Sequence, residues 1–153
     1  MLKVTATRSI SVQAPPEAVW DYTQDWNRRA EWDSSVSELI SLTEKPRQVR
    51  ARFKGGLVFD LEYKLDDRPR KTSLAMVNGN SRWIIGGGGS WRYDAIPGGT
   101  DWTQTNTLVL RDHWLMRLLV PFLRVGLGLS TAQAMRAAKL AVERSSLGSG
   151  LRS

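Results

Sequence analysis

The chain has 153 residues and carries 22 lysines and arginines against 15 acidic residues, a net charge of +7 spread along its length. That length supports one domain with a real core, and the scattered charge is that of a well-solvated basic protein, with mild attraction to anions as the sharper alternative. No cysteine and a single histidine are present, which excludes disulfides, thiol catalysis and thiolate metal sites and leaves zinc without a ligand set.

Near the N-terminus, Val4, Ala6, Ile10 and Val12 alternate with Thr5, Thr7, Ser9, Ser11 and Gln13, the period of a half-buried strand. Arg8 falls on the apolar side, either as an edge residue whose stem reaches water or as a cation aimed inward. The segment Ala14 to Asp33 follows and holds Trp20, Trp26 and Trp32. Pro16 suits the first turn of a helix and Glu17 complements its dipole, with a second short helix expected from about Asn27 to Trp32. Aromatics so concentrated, early in a chain of strands, suggest a lid on a cavity.

A weak strand is expected over 36–43. Next, Val49, Ala51 and Phe53 alternate with Arg50, Arg52 and Lys54, and after Gly55-Gly56 the apolar set Leu57, Phe59, Leu61, Tyr63 and Leu65 alternates with polar neighbours. These runs predict a hairpin with arginines opposite carboxylates on its solvated face. The basic face of this third strand lacks aromatics for base stacking, so no nucleic-acid partner is expected. Further strands are expected over 72–77, from Arg82 to Ile85, and from Trp102 to Leu110. The run Gly86–Gly89 lacks the Lys and Ser/Thr of a phosphate loop and reads as a bulge or bend.

Trp83, Trp91, Tyr93 and Trp102 are either cavity walls or ordinary core. Gln104 and Asn106 share a parity with Trp102, so they orient a ligand if that face is interior; Thr103, Thr105 and Thr107 line the inside if it is not. From Trp114 on, Leu127, Thr131, Ala134, Ala138 and Ala141 make one face of a long helix, bent or restarted near Pro121 and the Gly126/Gly128 pair. Its first ten residues, Trp114–Leu123, are apolar nearly all round, and are read as closing the cavity mouth rather than as a surface for a membrane or a second subunit. No stretch of bilayer-spanning length and no signal peptide are expected, so the expected location is cytoplasmic.

These elements predict an α+β fold: a curved antiparallel sheet of about seven strands wrapped around a long C-terminal helix, with two short helices after the first strand plugging one end. Residues 1–146 form a single domain and 147–153 a flexible tail. The phrase Ile10-x-Val12-x-Ala14-x-Pro16-Glu17-x-Val19-Trp20-Asp21, with Asp25-Trp26, Glu31-Trp32-Asp33 and a Gly98-Gly99-Thr100 turn, resembles the START-like helix-grip (SRPBCC) superfamily. Within it, the nearest resemblance is to the polyketide cyclase/dehydrase-type branch of small bacterial proteins. The shared residues are structural, so the resemblance implies the helix-grip fold and a ligand cavity and leaves several functions open.

Two functions follow as expectations, with a third kept beside them. The first is non-catalytic binding or transport of a small hydrophobic, lipid- or polyketide-like molecule, without cofactor or metal. Its ligand-binding residues would be Arg8, Phe53, Phe59, Tyr63, Trp83, Trp91, Trp102, Gln104, Asn106, Leu123 and Leu127. The second is a cyclase or dehydratase, for which Tyr63, Asp60 and the lone His113 are the acid–base candidates. The third is a protein-interaction module using the Trp114–Leu123 surface. Peripheral membrane contact and a monomer or homodimer complete the expectations.

Overall fold

The computed structural model describes the backbone of residues 1–150 and the side chains of residues 1–146. Seven strands form one antiparallel sheet: β1 (Leu2–Val12), β2 (Val36–Glu44), β3 (Arg47–Phe53), β4 (Leu57–Asp67), β5 (Lys71–Gly79), β6 (Ile84–Ile96) and β7 (Gly99–Leu110). Their order is β1-β7-β6-β5-β4-β3-β2, so β1 and β2 are the edges. The helices α1 (Pro16–Thr23) and α2 (Arg29–Trp32) connect those two edges, and α3 (Trp114–Gly150) ends the chain. This is the helix-grip arrangement expected from the pattern of elements.

Local chemistry explains the elements. Pro16 opens α1 as its first helical residue after an extended Pro15, where the absent N–H costs nothing. Gly55 and Gly56 turn β3 into β4 with φ of 80° and 75°, a conformation open to glycine. On the solvated face of that hairpin Arg50 grips Asp60 with two bonds of 2.6 and 2.9 Å, and Arg52 meets Glu38 across β2. On the other face Val49 and Ala51 are fully buried.

The wide β6 strand contains the four glycines. A Cβ at Gly87 would collide with the Thr107 carbonyl of β7, and one at Gly88 with the Leu74 carbonyl of β5. Glycine there lets three backbones approach while the sheet curls, and the register shifts between Ile84 and Gly86.

The α3 helix packs along β1 through Ala134, Met135, Ala138 and Val142, all buried. The Gln13 N–H, just past the end of β1, donates to Glu143 Oε1 at 2.9 Å, and Lys139 Nζ donates to the Ser11 carbonyl. Arg8 lies on the same side of β1, exposed, with its guanidinium against Gly128 of α3.

Several expectations change. The helix runs unbroken through Pro121 and both glycines, rather than restarting there. By length and composition α3 is apolar enough to cross a bilayer, against expectation, because its most apolar window reaches a mean hydropathy of 1.4. Its other face belongs to the core of the domain. The tail expected from Leu147 begins inside α3, whose backbone extends to Gly150, and residues 151–153 lie outside the described residues.

Candidate functional site

The lid is fastened to the sheet by a chain of buried polar groups. Thr23 donates its hydroxyl proton to the Val19 carbonyl at 2.8 Å, so its oxygen accepts from the Tyr93 hydroxyl at 2.6 Å. Tyr93 in turn accepts from Gln24 Nε2 at 2.7 Å. Burial pushes the Tyr93 phenol well above the usual tyrosine range. Tyr63 accepts from Trp26 Nε1 at 3.0 Å and donates to Gln24 Oε1 at 3.3 Å, and burial raises its phenol too. Above these bonds the rings interlock: Trp20 packs on Tyr93 at 5.0 Å, Tyr93 stacks on Trp102 at 6.1 Å, and Trp32 meets Trp102 edge-on at 5.7 Å.

Beneath the lid, between sheet and α3, lies a cavity of about 280 Å³, near the lower end of volumes that hold a small ligand. Its wall is mainly apolar: Phe53, Leu57, Phe59, Leu61, Leu74, Met76, Ile84, Leu108, Leu127 and Ala134, with the glycines of β6 forming part of the floor. A Cβ at Gly89 would stand 2.7 Å from the Trp91 ring and 3.1 Å from Asn106 Oδ1, so glycine keeps this floor open. The polar lining is sparse. Asn106 Nδ2 donates to Thr131 Oγ1 at 2.9 Å, Gln104 Nε2 reaches Asn106 Oδ1 at 3.3 Å, and Gln104 Oε1 is buried with no partner.

Of the eleven residues expected from sequence to contact a ligand, Phe53, Phe59, Trp91, Gln104, Asn106 and Leu127 line this cavity, and five do not. Trp102 is fully buried but spends its ring on Trp32 and Tyr93 under the lid. Tyr63 is consumed by the Trp26–Gln24 network. Trp83 precedes β6 and packs edge-on against His113 at 5.2 Å. Arg8 is exposed beside α3, as the edge reading allowed. Leu123 is half-buried on α3 outside the wall. The parity left open on β7 resolves with Trp102, Gln104 and Asn106 inward, while the hydroxyls of Thr103, Thr105 and Thr107 pair outside with Ser9, Thr7 and Thr5 at 2.8, 3.0 and 3.2 Å, although Thr107 also borders the cavity.

The Trp114–Leu123 stretch does not close the mouth. None of its residues lines the cavity, and Trp114, Leu118 and Phe122 are 67, 62 and 75% exposed. The acid–base candidates also lie elsewhere. Asp60 is tied to Arg50 on the solvated face, and that guanidinium holds its carboxyl below the usual range. His113 Nδ1 accepts the Leu115 N–H at the start of α3.

Arg29 and Asp33, not among the residues expected from the sequence, both line the cavity. Arg29 is 4% exposed. Its Nε donates to Asp33 Oδ2 at 3.0 Å, and its guanidinium sits 4.4, 4.8 and 5.1 Å from the rings of Trp32, Trp26 and Trp91. Asp33 Oδ1 accepts from Ser35 N and Oγ at 3.1 and 2.6 Å. The signal was present in Trp26-x-x-Arg29-x-x-Trp32-Asp33: spacing of three puts the arginine between two indoles, and spacing of four supplies its carboxylate. Among the described residues no cluster of His, Cys, Asp and Glu could hold a metal.

The sequence profile described as "Polyketide cyclase / dehydrase and lipid transport" matches residues 1–143. The chain belongs to this family. No curated protein matches the chain significantly. Among solved structures, the Zhui aromatase/cyclase from Streptomyces sp. R1128 is similar with a TM-score of 0.75 at 16% identity, over 94% of this chain and 95% of that one. A START superfamily protein from Mycobacterium smegmatis gives 0.73 at 13% identity, over 92% and 97%. A protein from Thermus thermophilus gives 0.74 at 19% identity, over 95% and 99%. At such identities these likenesses establish the START-like fold that this member of the polyketide cyclase/dehydrase and lipid transport family shares, and no more.

Proposed function

We propose that the protein binds and carries a small hydrophobic molecule in the cavity between the sheet and α3. The observation that carries this reading is the cavity itself: a volume of about 280 Å³ with an apolar wall and few polar groups. Apolar ligand surface transferred there from water contributes roughly 25 cal/mol per Å². A cyclase reading has less support, although the Zhui aromatase/cyclase shares the fold. Tyr63, Asp60 and His113 lie off the cavity wall, and the carboxylate that does line it, Asp33, already holds a donor on each oxygen. The test is a fluorescence titration with N-phenyl-1-naphthylamine, a neutral apolar probe. One saturable site per chain, lost when Ala134→Phe fills the cavity from α3, supports the carrier; a probe that fails to bind contradicts it.

The exposed apolar stripe on α3 supports a further part of the same reading, that ligand is exchanged at an anionic membrane surface. Trp114, Leu118, Phe122, Val125 and Leu129 recur at spacings of three and four, each at least 59% exposed. Such a face on a helix favours the plane of a lipid interface. Exposed Arg124 flanks the stripe, and the chain's net charge of +7 complements anionic headgroups. Leu127, Ser130 and Thr131 of the same helix line the cavity, so the interface and the ligand would lie on two sides of one element. Sedimentation with lipid vesicles tests this.

A further inference from the structure

The apolar cavity has one polar corner, built around Trp91. The Arg29 guanidinium lies 5.1 Å from the Trp91 ring, and Gln104 is the cross-strand partner of Trp91 in the β6–β7 register. All three residues line the cavity and each is at least 96% buried. Each also retains a buried polar atom with no hydrogen-bond partner: Arg29 Nη1, Trp91 Nε1 and Gln104 Oε1. Buried polar groups are nearly always partnered, and leaving one unmade is costly. Two further orphans, the Trp32 and Trp102 indole N–H groups, lie off the cavity wall; these three sit on neighbouring residues that line it, where a ligand can complete them.

We propose that this corner receives an oxyanion, so that the ligand is an amphiphile with an apolar body and one acidic head such as a carboxylate; the proposal rests on the carrier reading above. Two of the three unmet atoms are donors, and one of them is a guanidinium, the group best suited to a carboxylate. The third, Gln104 Oε1, accepts, and suits a hydroxyl next to the acidic group; exchanging the amide's O and N would leave one orphan there all the same.

Charge points the same way. The Arg29 guanidinium spends Nε on Asp33, and its buried Nη1 remains for an anion. Asp33 does not compete for that role, since Ser35 and Arg29 Nε occupy its oxygens and hold the guanidinium in place. The indoles of Trp26, Trp32 and Trp91 around the cation keep water away from it, which strengthens its pull on an anion.

The test displaces bound N-phenyl-1-naphthylamine from the unaltered protein with dodecanoate or with dodecan-1-ol, equal in chain length and different in head. Dodecanoate should act at about tenfold lower concentration, the scale of one charge-assisted hydrogen bond. The preference should vanish in the double variant Arg29→Met/Asp33→Asn, which removes both members of the buried pair and strands neither charge. Equal displacement by acid and alcohol overturns the oxyanion site while leaving the carrier intact. Failure of the neutral probe to bind at all contradicts the carrier itself. Should the double variant not fold, [1-13C]dodecanoate bound to the unaltered protein supplies the answer: a carboxyl resonance that stays ionised well below the titration of the free acid supports the site, and an unshifted titration overturns it.

Discussion

Arg29 and Glu143 show how single side chains decide what the fold can do. Arg29 escapes a reading of the sequence because a short helix of mixed polarity carries no periodic signal, while its meaning lies in contacts to Trp91, 62 positions along the chain. Gln104 and Asn106 were legible as a pair on one parity of a strand; which parity faced inward depended on β1 and α3, which a single strand's pattern does not encode. Glu143 fastens α3 to the end of β1. The Gln13 N–H, and then the Lys139 ammonium, hold its carboxyl below the usual glutamate range. A lowered folded pKa means that the stabilisation is present above the ordinary glutamate value and is lost as pH falls through the folded one. Glu143→Gln should therefore cost about 1 kcal/mol at neutral pH, with the deficit shrinking on acidification. Thermal unfolding of both proteins across pH checks this, and a deficit that ignores pH contradicts it.

At the scale of elements, β3, β4 and the start of α1 could be read directly, because alternation, Gly55-Gly56 and Pro16 are local rules. The first turns of α3 could not. Ten nearly all-apolar residues look the same whether they plug a cavity or face outward, and the difference lies in the path the sheet leaves for the helix. Trp114, Leu118 and Phe122 face outward, which is why the stripe is read as a membrane-facing surface. The protein should sediment with vesicles of anionic phosphatidylglycerol and stay free of neutral phosphatidylcholine ones, and Leu118→Asp/Phe122→Asp should release it. Binding to neither vesicle, with a dimer that the same substitutions dissociate, would assign the stripe to a second copy of the chain.

For the molecule as a whole, the sheet, its lid and α3 form one enclosure, and the order of elements along the chain already implied it. The cavity's size did not follow from the sequence, because it depends on Gly89 standing where a side chain would press on Trp91 and Asn106 and on the small Ala134 of α3. Nor did its chemistry, since the aromatics Trp83 and Trp102 pack elsewhere and the cation comes from the lid. The most direct measurement on this account is native mass spectrometry of the freshly purified protein beside its denatured mass. A discrete extra mass is expected, one molecule per chain, that leaves on denaturation and whose fragments contain an apolar body. An unliganded mass that persists after incubation with a lipid extract would contradict it.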